Sequence, residues 1–316
     1  MLPAGHGMID LSFDWILWAA MSEDSFESSA RQWPLLARFL DAEARWAEKW
    51  SHSRFGLGAY EFVRFGAKQA WACLFGGAMV ALLIATHLWY PRSASLARYD
   101  FLVVASISIQ ALLLATRMET REEAKVILVF HLVGTAMEIF KTAVGSWTYP
   151  EASLLRIGGV PLFTGFMYAS IGSYIARSWR LFDFRFTRHP PLWALGLLSV
   201  AIYANFFTNH WGWDLRVLLF LGAAILLGPG MIHYRVWRKH RTMPILLACG
   251  LTAFFVWIAE NVGTYTNAWL YPHQGSQWSP VGFNKFSSWF LLLIISYAMV
   301  ALVNRPQTMA REIADK

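Results

Sequence analysis

Eight predominantly apolar runs follow one another along the chain, at 67–89, 99–118, 124–144, 159–178, 192–208, 215–233, 244–264 and 284–303. A helix that crosses a bilayer needs roughly 20 such residues, at about 1.5 Å of rise each. A soluble helix is apolar along one stripe, whereas each of these runs is apolar nearly all round, so each is expected to span a membrane. The first 65 residues have a different pattern. From Trp33 to Trp50 the sequence alternates Trp, Leu and Phe with Arg, Asp, Glu and Lys at helical spacing. It reads as an amphipathic helix lying on the membrane or packed on its cytoplasmic face, and the same pattern fits a short soluble cap.

Polar residues inside the apolar runs are few and patterned. On the third run His131, Thr135, Glu138 and Thr142 fall at i, i+4, i+7 and i+11, which places them on one helix face. Glu138 stands nine residues before Trp147 and eleven before Tyr149-Pro150, and Glu260 stands at the same spacings before Trp269 and Tyr271-Pro272. The offset is 260 − 138 = 122 residues, and it carries runs one to four onto runs five to eight. Each unit has an even number of spans, so the two units enter the membrane in the same direction. The expected architecture is an all-α integral membrane protein of about eight transmembrane helices in two parallel four-helix repeats. Its divisions are an amphipathic segment at 1–65, repeats at 66–186 and 187–305, and a tail at 306–316. Pro161 and Gly228-Pro229-Gly230 interrupt the runs, and are read as a cavity wall or hinge, or as plain kinks.

Charge orients this arrangement. Arg117, Arg121 and Lys125 mark the second loop, Arg177, Arg180, Arg185 and Arg188 the fourth, and Arg235, Arg238, Lys239 and Arg241 the sixth. The odd loops are poor in Lys and Arg. The positive-inside rule therefore predicts cytoplasmic termini in a multi-pass protein of the cell (inner) membrane, with both W-x-Y-P loops facing outward. Only 15% of the 316 residues are charged, against roughly 25% in a soluble domain. The net charge of +7 sits in loops rather than on one face. It suits topology and anionic lipid, so the bilayer is the expected partner and nucleic acid is not. Asp10 and Asp14 interrupt the N-terminal apolar stretch, so no signal peptide is expected. Cys73 and Cys249 lie inside apolar runs and imply neither a disulfide framework nor a zinc site.

Ionisable groups within a span are costly, which makes Glu138 and Glu260 the candidate catalytic residues. Two carboxylates in different environments can divide acid and base roles. The structural alternative is that each hydrogen-bonds the loop Trp or Tyr of its own repeat, or pairs with Lys141. Candidate substrate-binding residues around them are His131, Lys141, Trp147, Tyr149, Asn205, His210, Asn261, Trp269 and Tyr271. Lys141 could pair with Glu138 at i,i+3 or snorkel to the interface, and the loop aromatics could stack on a substrate or form an interfacial belt. His87, His131 and His210 could approach a metal. No H-E-x-x-H, C-x-x-C, phosphate loop or nucleophile elbow occurs, and neither metal nor cofactor is expected.

The runs HLVGTAMEIFKTAVGSWTYPE and GGVPLFTGFMYASIGSYIARSWR resemble a family of bacterial multi-pass membrane proteins known only as a domain of unknown function. TNHWGWDLR, FFVWIAENVGTYTNAWLYP and FSSWFLLLIISYAMVALV fit the same family, over about 60–305. More distantly, the order E…G-x-W-x-Y…G-x-P on paired spans resembles membrane-bound carotenoid-pathway cyclases and hydratases. The P-x-E-E element of the cyclases is missing here, since Pro161 is followed by Leu-Phe-Thr. That resemblance implies protonation of long apolar polyenes. The function expected first is acid–base catalysis on an apolar lipid or isoprenoid in an outward-facing cavity. A transporter or proton-coupled permease comes second, and a structural or assembly protein without a site of its own third. The scarcity of polar residues in the inner half ranks the enzyme ahead of the permease.

Overall fold

The computed structural model describes residues 53–308 apart from 92 and 276, together with Arg38, Ala42, Arg45 and Trp46. Most of the amphipathic helix expected at 33–50, and the tail beyond 308, lie outside the described residues. The chain divides into Met1–Val63 and Arg64–Lys316, and apart from Arg54–Val63 at the start of the first helix the architecture below belongs to the second unit.

Among the described residues nine α-helices occur: α1 Arg54–Ala72, α2 Leu74–Trp89, α3 Arg98–Ala115, α4 Arg121–Ala143, α5 Phe163–Leu181, α6 Leu192–Thr208, α7 Arg216–Leu227, α8 Ile245–Tyr265 and α9 Asn284–Asn304. The helices α3, α4, α8 and α9 are long and apolar enough to cross a membrane, and the pair α1–α2, bent by 69°, makes a fifth if it counts as one span. The helices α6 and α7 are shorter apolar helices, and α5, which carries Arg177 and Arg180, is not among the candidates. Large apolar side chains such as Ile107, Leu128, Leu132, Val200, Ile225 and Phe255 stand exposed along the helices. An exposed apolar surface of this kind suits lipid rather than water. The chain is a membrane protein, mostly helical, with four or five candidate spans by length and composition.

The expectation of purely helical structure needs correcting, because two small antiparallel sheets lie between the helices. Strands β1 Arg156–Ile157 and β2 Val160–Pro161 form a hairpin around Gly158 and Gly159, whose φ angles of 58° and 82° suit a tight turn of the primed type. A side chain at Gly158 would also strike Ile139, with Cγ2 only 2.8 Å from the Cβ position. Strands β3 Arg185–Thr187, β4 Met231–Arg235 and β5 His240–Pro244 pair in that order. They join the two Arg-rich loops expected on one face, and satisfy backbone groups that the helices leave open there.

The two helix breakers have definite roles. The run expected at 215–233 is helical only to Leu227. Gly228-Pro229-Gly230 stops α7, and the chain continues as β4, so this segment is a helix terminus rather than a hinge. Pro161 lies in β2, opposite Arg156, and breaks no helix. Its run therefore becomes helical at Phe163 instead of 159.

Helix α4 packs closely on α5 because glycines admit large side chains across the interface. A Cβ on Gly134 would lie 2.7 Å from the Tyr168 side chain, and one on Gly172 would lie 2.7 Å from the Phe130 ring. The helices α5 and α9 also touch, and α9 packs on α6 and α8. The main core runs through Phe75, Met79, Phe130, Ala169, Leu291 and Ile294.

Gly172→Leu is expected to destabilise the protein by roughly 1–3 kcal/mol, as overpacking does. Gly196→Ala, at a helical glycine with nothing within 4 Å of its Cβ position, should be neutral or stabilising. Thermal unfolding of the two variants in detergent checks this, and equal midpoints would contradict it.

Candidate functional site

The site begins with the end of α4. That helix starts at a capping box, Thr120 with Glu123, and runs through Glu138 to Ala143. At its end Gly145, with φ 73°, turns the chain: Ser146 N donates to Lys141 O at 2.9 Å and Gly145 N to Thr142 O at 3.1 Å. This is a Schellman motif, and it folds the following loop back over the helix. Helix α8 ends in the same way. Asn267 takes the left-handed position at φ 55°, and Ala268 N donates to Gly263 O at 3.0 Å. The two loops then pair with each other, since Thr148 and Leu270 exchange reciprocal backbone hydrogen bonds of 2.9 Å.

This geometry brings the loop aromatics onto the glutamates. Glu138 is buried and accepts from Trp147 Nε1 at 2.7 Å, from Tyr168 Oη at 2.6 Å and from Tyr149 Oη. Glu260 is equally buried and accepts from Tyr271 Oη and Trp289 Nε1. Every partner is a donor, as an acceptor-only carboxylate requires. Burial and the adjacent Glu138 carboxylate push the Tyr149 phenol well above its ordinary range. Burial and Glu260 do the same to Tyr271, so both phenols keep the protons they donate. The two nodes are one cluster: Trp147 meets Tyr271 edge-on at 6.0 Å, and the rings of Tyr168 and Trp289 lie 6.2 Å apart. Lys285 Nζ stands 4.4 Å from the Tyr271 ring and 5.9 Å from that of Trp147.

The start of α3 holds both loops in place. Asp100 accepts from Leu154 N at 2.9 Å and Leu155 N at 2.7 Å, and Arg98 reaches Glu151 at 2.6 Å. Tyr99 Oη donates to Ala268 O of the other loop at 3.0 Å. Three consecutive residues thus tie the two loops to one helix.

The other sequence candidates fall into different places. Lys141 neither pairs with Glu138 nor snorkels outward. It is buried, and its ammonium donates to Phe206 O at 2.7 Å and contacts His210 Nε2 at 2.8 Å. A lysine ammonium has only donors, so His210 Nε2 accepts and the imidazole is neutral. Burial, then the charges of Lys141 and Lys285, hold His210 below its ordinary value. Asn205 Oδ1 accepts from Leu215 N at 3.0 Å and Asn261 Oδ1 from Val281 N at 2.8 Å, so both asparagines fasten loops. His131 packs on Phe166 with ring centroids 4.4 Å apart, and its Nδ1 has no partner. Trp269 lies on Gly263, where a Cβ would be 2.1 Å from its ring. Trp147, Tyr149 and Tyr271 are therefore the candidates brought to the glutamates, and Lys141, His131, Asn205, His210, Asn261 and Trp269 are not among their ligands.

Sequence reasoning missed Tyr168, Trp289 and Lys285, which come from α5 and α9. It also left Arg177 and Arg180 in a loop. Arg177 and Glu119 are wholly buried side chains 3.4 Å apart, with Ser173 on the same carboxylate at 2.9 Å, and Arg180 meets Glu123 at 2.9 Å. The alternation of Glu and Arg at helical spacing across the second and fourth loops was the available signal. Among the described residues no group of three His, Cys, Asp or Glu side chains could hold a metal ion.

Residues 61–297 match the family described as "Protein of unknown function (DUF817)". The "Uncharacterized protein YoaT" of Bacillus subtilis (strain 168) is 42% identical over 241 residues, which cover 76% of this chain and 90% of that protein. No solved structure matches the chain. Both glutamates and all their hydrogen-bond partners lie inside the matched region.

Two measurements follow from the geometry. Glu138→Gln leaves at least one of three buried donors without an acceptor, a cost of about 1–3 kcal/mol for each such group. Glu260→Gln, with two donors, should cost less, and unfolding of the variants in detergent gives the order. For His210 the folded value lies below the ordinary 6.5, so the unfolded chain binds more protons there. Its contribution is complete above the ordinary value and is lost as pH falls from there through the lower folded value. The melting temperature should fall on acidification from about pH 7 to pH 5.5, and His210→Gln should remove part of the fall. An identical pH profile in the variant would refute this.

Proposed function

The chain belongs to the DUF817 family, and on that premise we propose that it performs acid–base chemistry on an apolar lipid or isoprenoid. The observation that carries this reading is the placement of Tyr168. Its hydroxyl is bonded to the buried Glu138 while its ring is only half-buried, beside the half-buried Trp289 on Glu260. Glu138, accepting from three donors, acts as the base, Tyr168 gives its proton to that carboxylate as it takes one from the substrate, and Glu260, with fewer donors, takes the complementary role. The faces of Tyr168 and Trp289 contact the apolar part of the substrate and favour positive charge developing over them.

The scaffold in this reading is an eight-span protein of the inner membrane, built from two parallel four-helix repeats with cytoplasmic termini. Support comes from Thr148 and Leu270, which are 122 residues apart and bond each other reciprocally, as residues beside a two-fold axis do. The two Schellman turns and the α5–α9 contact agree with that axis. The three-stranded sheet joins the fourth and sixth loops, which the charge rule puts on one side.

A proton-coupled permease is the second reading. The buried pairs Glu119–Arg177 and Glu123–Arg180 favour it, because they continue ionisable groups along α4 and α5 beyond the glutamate cluster.

Lipid-extract mass spectrometry on cells with and without the protein tests the enzyme reading, repeated with Glu138→Gln, Glu260→Gln and Tyr168→Phe. A lipid or isoprenoid species should change with the protein and revert in the variants. An unchanged profile from folded protein sinks the enzyme reading and directs the work to transport in vesicles, with Arg177→Gln as the variant that loses uptake.

A further inference from the structure

The register of the three-stranded sheet sorts its side chains into two faces, because side chains alternate along a strand and paired residues share a face. Phe186, Ile232, Tyr234 and Met243 fall on one face. There Phe186 packs on Trp179 with ring centroids 4.9 Å apart, and Tyr234 meets Phe182 at 6.3 Å. Arg185, His233, Arg235, His240 and Thr242 fall on the other face. Asp183, two residues before Arg185, draws three of these together. Its Oδ2 lies 3.5 Å from Arg185 Nη2, 3.5 Å from Arg235 Nη2 and 3.3 Å from His240 Nε2. The two guanidinium groups, both on one oxygen, therefore stand side by side.

Control of topology needs basic residues in a loop, but it does not need them to converge. Asp183 is the only acid in 182–191 and 231–244, against six Lys and Arg. One carboxylate offsets one of these charges. A guanidinium has five N–H donors, so the contact with Asp183 leaves most of the Arg185 fork for another acceptor. The Arg185 side chain is 42% exposed, which keeps that fork within reach of a ligand. Arg188, Arg238 and Lys239 stand exposed at the ends of the same strands, and among the described residues none of them has a carboxylate partner.

The sheet grows directly out of apolar helices. Thr187, Met231 and Pro244 form its row nearest to them, where α7 has stopped at Leu227 and α6 and α8 begin at Leu192 and Ile245. Trp193, Ile225 and Leu247 are exposed at those helix ends, as contact with lipid allows. Arg185 lies two residues beyond that row, about 7 Å along the strand. The headgroup layer is roughly 5–7 Å thick on each side of the hydrocarbon, so this guanidinium stands at the level of lipid phosphate. We propose that Arg185 and Arg235, held together by Asp183, bind the phosphate of an anionic phospholipid. Two adjacent planar forks suit a phosphate, and the surplus of cations selects a headgroup without an amine over a zwitterionic one. The site is independent of the acid–base reading.

The test is lipid binding by the purified full-length protein in neutral detergent, followed by native mass spectrometry. The probes are dioleoyl phosphatidylglycerol, dioleoyl phosphatidylcholine and glycerol phosphate. Phosphatidylglycerol should bind about tenfold more tightly than phosphatidylcholine. Arg185→Gln should weaken phosphatidylglycerol about fivefold, the share of one arginine at a membrane surface. Arg185→Lys keeps the charge and loses the fork, and should weaken it as well. Arg216→Gln, outside the sheet, should leave it unchanged. Asp183→Asn separates a built site from diffuse attraction. It makes the protein more positive, so diffuse attraction would grow, whereas a site that needs Asp183 to align the two arginines should bind more weakly. Unfolding midpoints in the same detergent show that each variant is folded. Stronger phosphatidylglycerol binding in Asp183→Asn would overturn the proposal. So would equal binding of the two lipids, or an unchanged affinity in folded Arg185→Gln or Arg185→Lys. Glycerol phosphate displacing the lipid at equal concentration would also overturn it, and would mark a soluble phosphate as the ligand.

Discussion

A carboxylate placed inside an apolar helix has to be surrounded by donors, and the three that converge on Glu138 govern much of this structure. Trp147 and Tyr149 reach it only because the chain reverses at Gly145. Tyr168 reaches it only because Gly134 lets α5 approach α4. The hairpin at Gly158 and Gly159 then closes on Ile139, on the same helix. Helix contact, loop conformation and site geometry therefore answer one electrostatic demand. Glu260 makes the same demand and meets it with Tyr271 and Trp289, so the second loop adopts a related shape.

The two loops are not independent clamps. Arg98, Tyr99 and Asp100 hold them from one helix end, and the Thr148–Leu270 pair holds them to each other. Such a frame keeps the aromatic donors on the glutamates. It also leaves the glutamates with different donor sets, one of three and one of two. Different surroundings for two carboxylates are the usual route to different roles.

Charge away from this frame is distributed in two ways. Glu119–Arg177 and Glu123–Arg180 are internal ion pairs, and their desolvation is offset by mutual attraction and by added hydrogen bonds such as that of Ser173. At the Trp-Tyr loop end, Lys141 and Lys285 lie within electrostatic reach of one another with no ion-pair partner for either among the described residues.

The sequence by itself determined the membrane class and helices close to the expected runs. These properties depend on long apolar runs and on short-range spacing, both of which are local. It named Trp147, Tyr149 and Tyr271 correctly as neighbours of the glutamates because a helix followed by a tight turn brings back only residues close in sequence. It could not find Tyr168, Trp289 or Lys285, which lie 30, 29 and 25 residues beyond the nearest glutamate on separate helices. It also read Lys141 as a partner of Glu138 or of the interface, since i,i+3 spacing is visible in a string of letters and the carbonyl of Phe206 is not. The two small sheets, the early end of α7 and the burial of Arg177 were likewise decided by tertiary structure. Each depends on which distant segment supplies the missing hydrogen-bond partner, and that choice is made only when the helices pack.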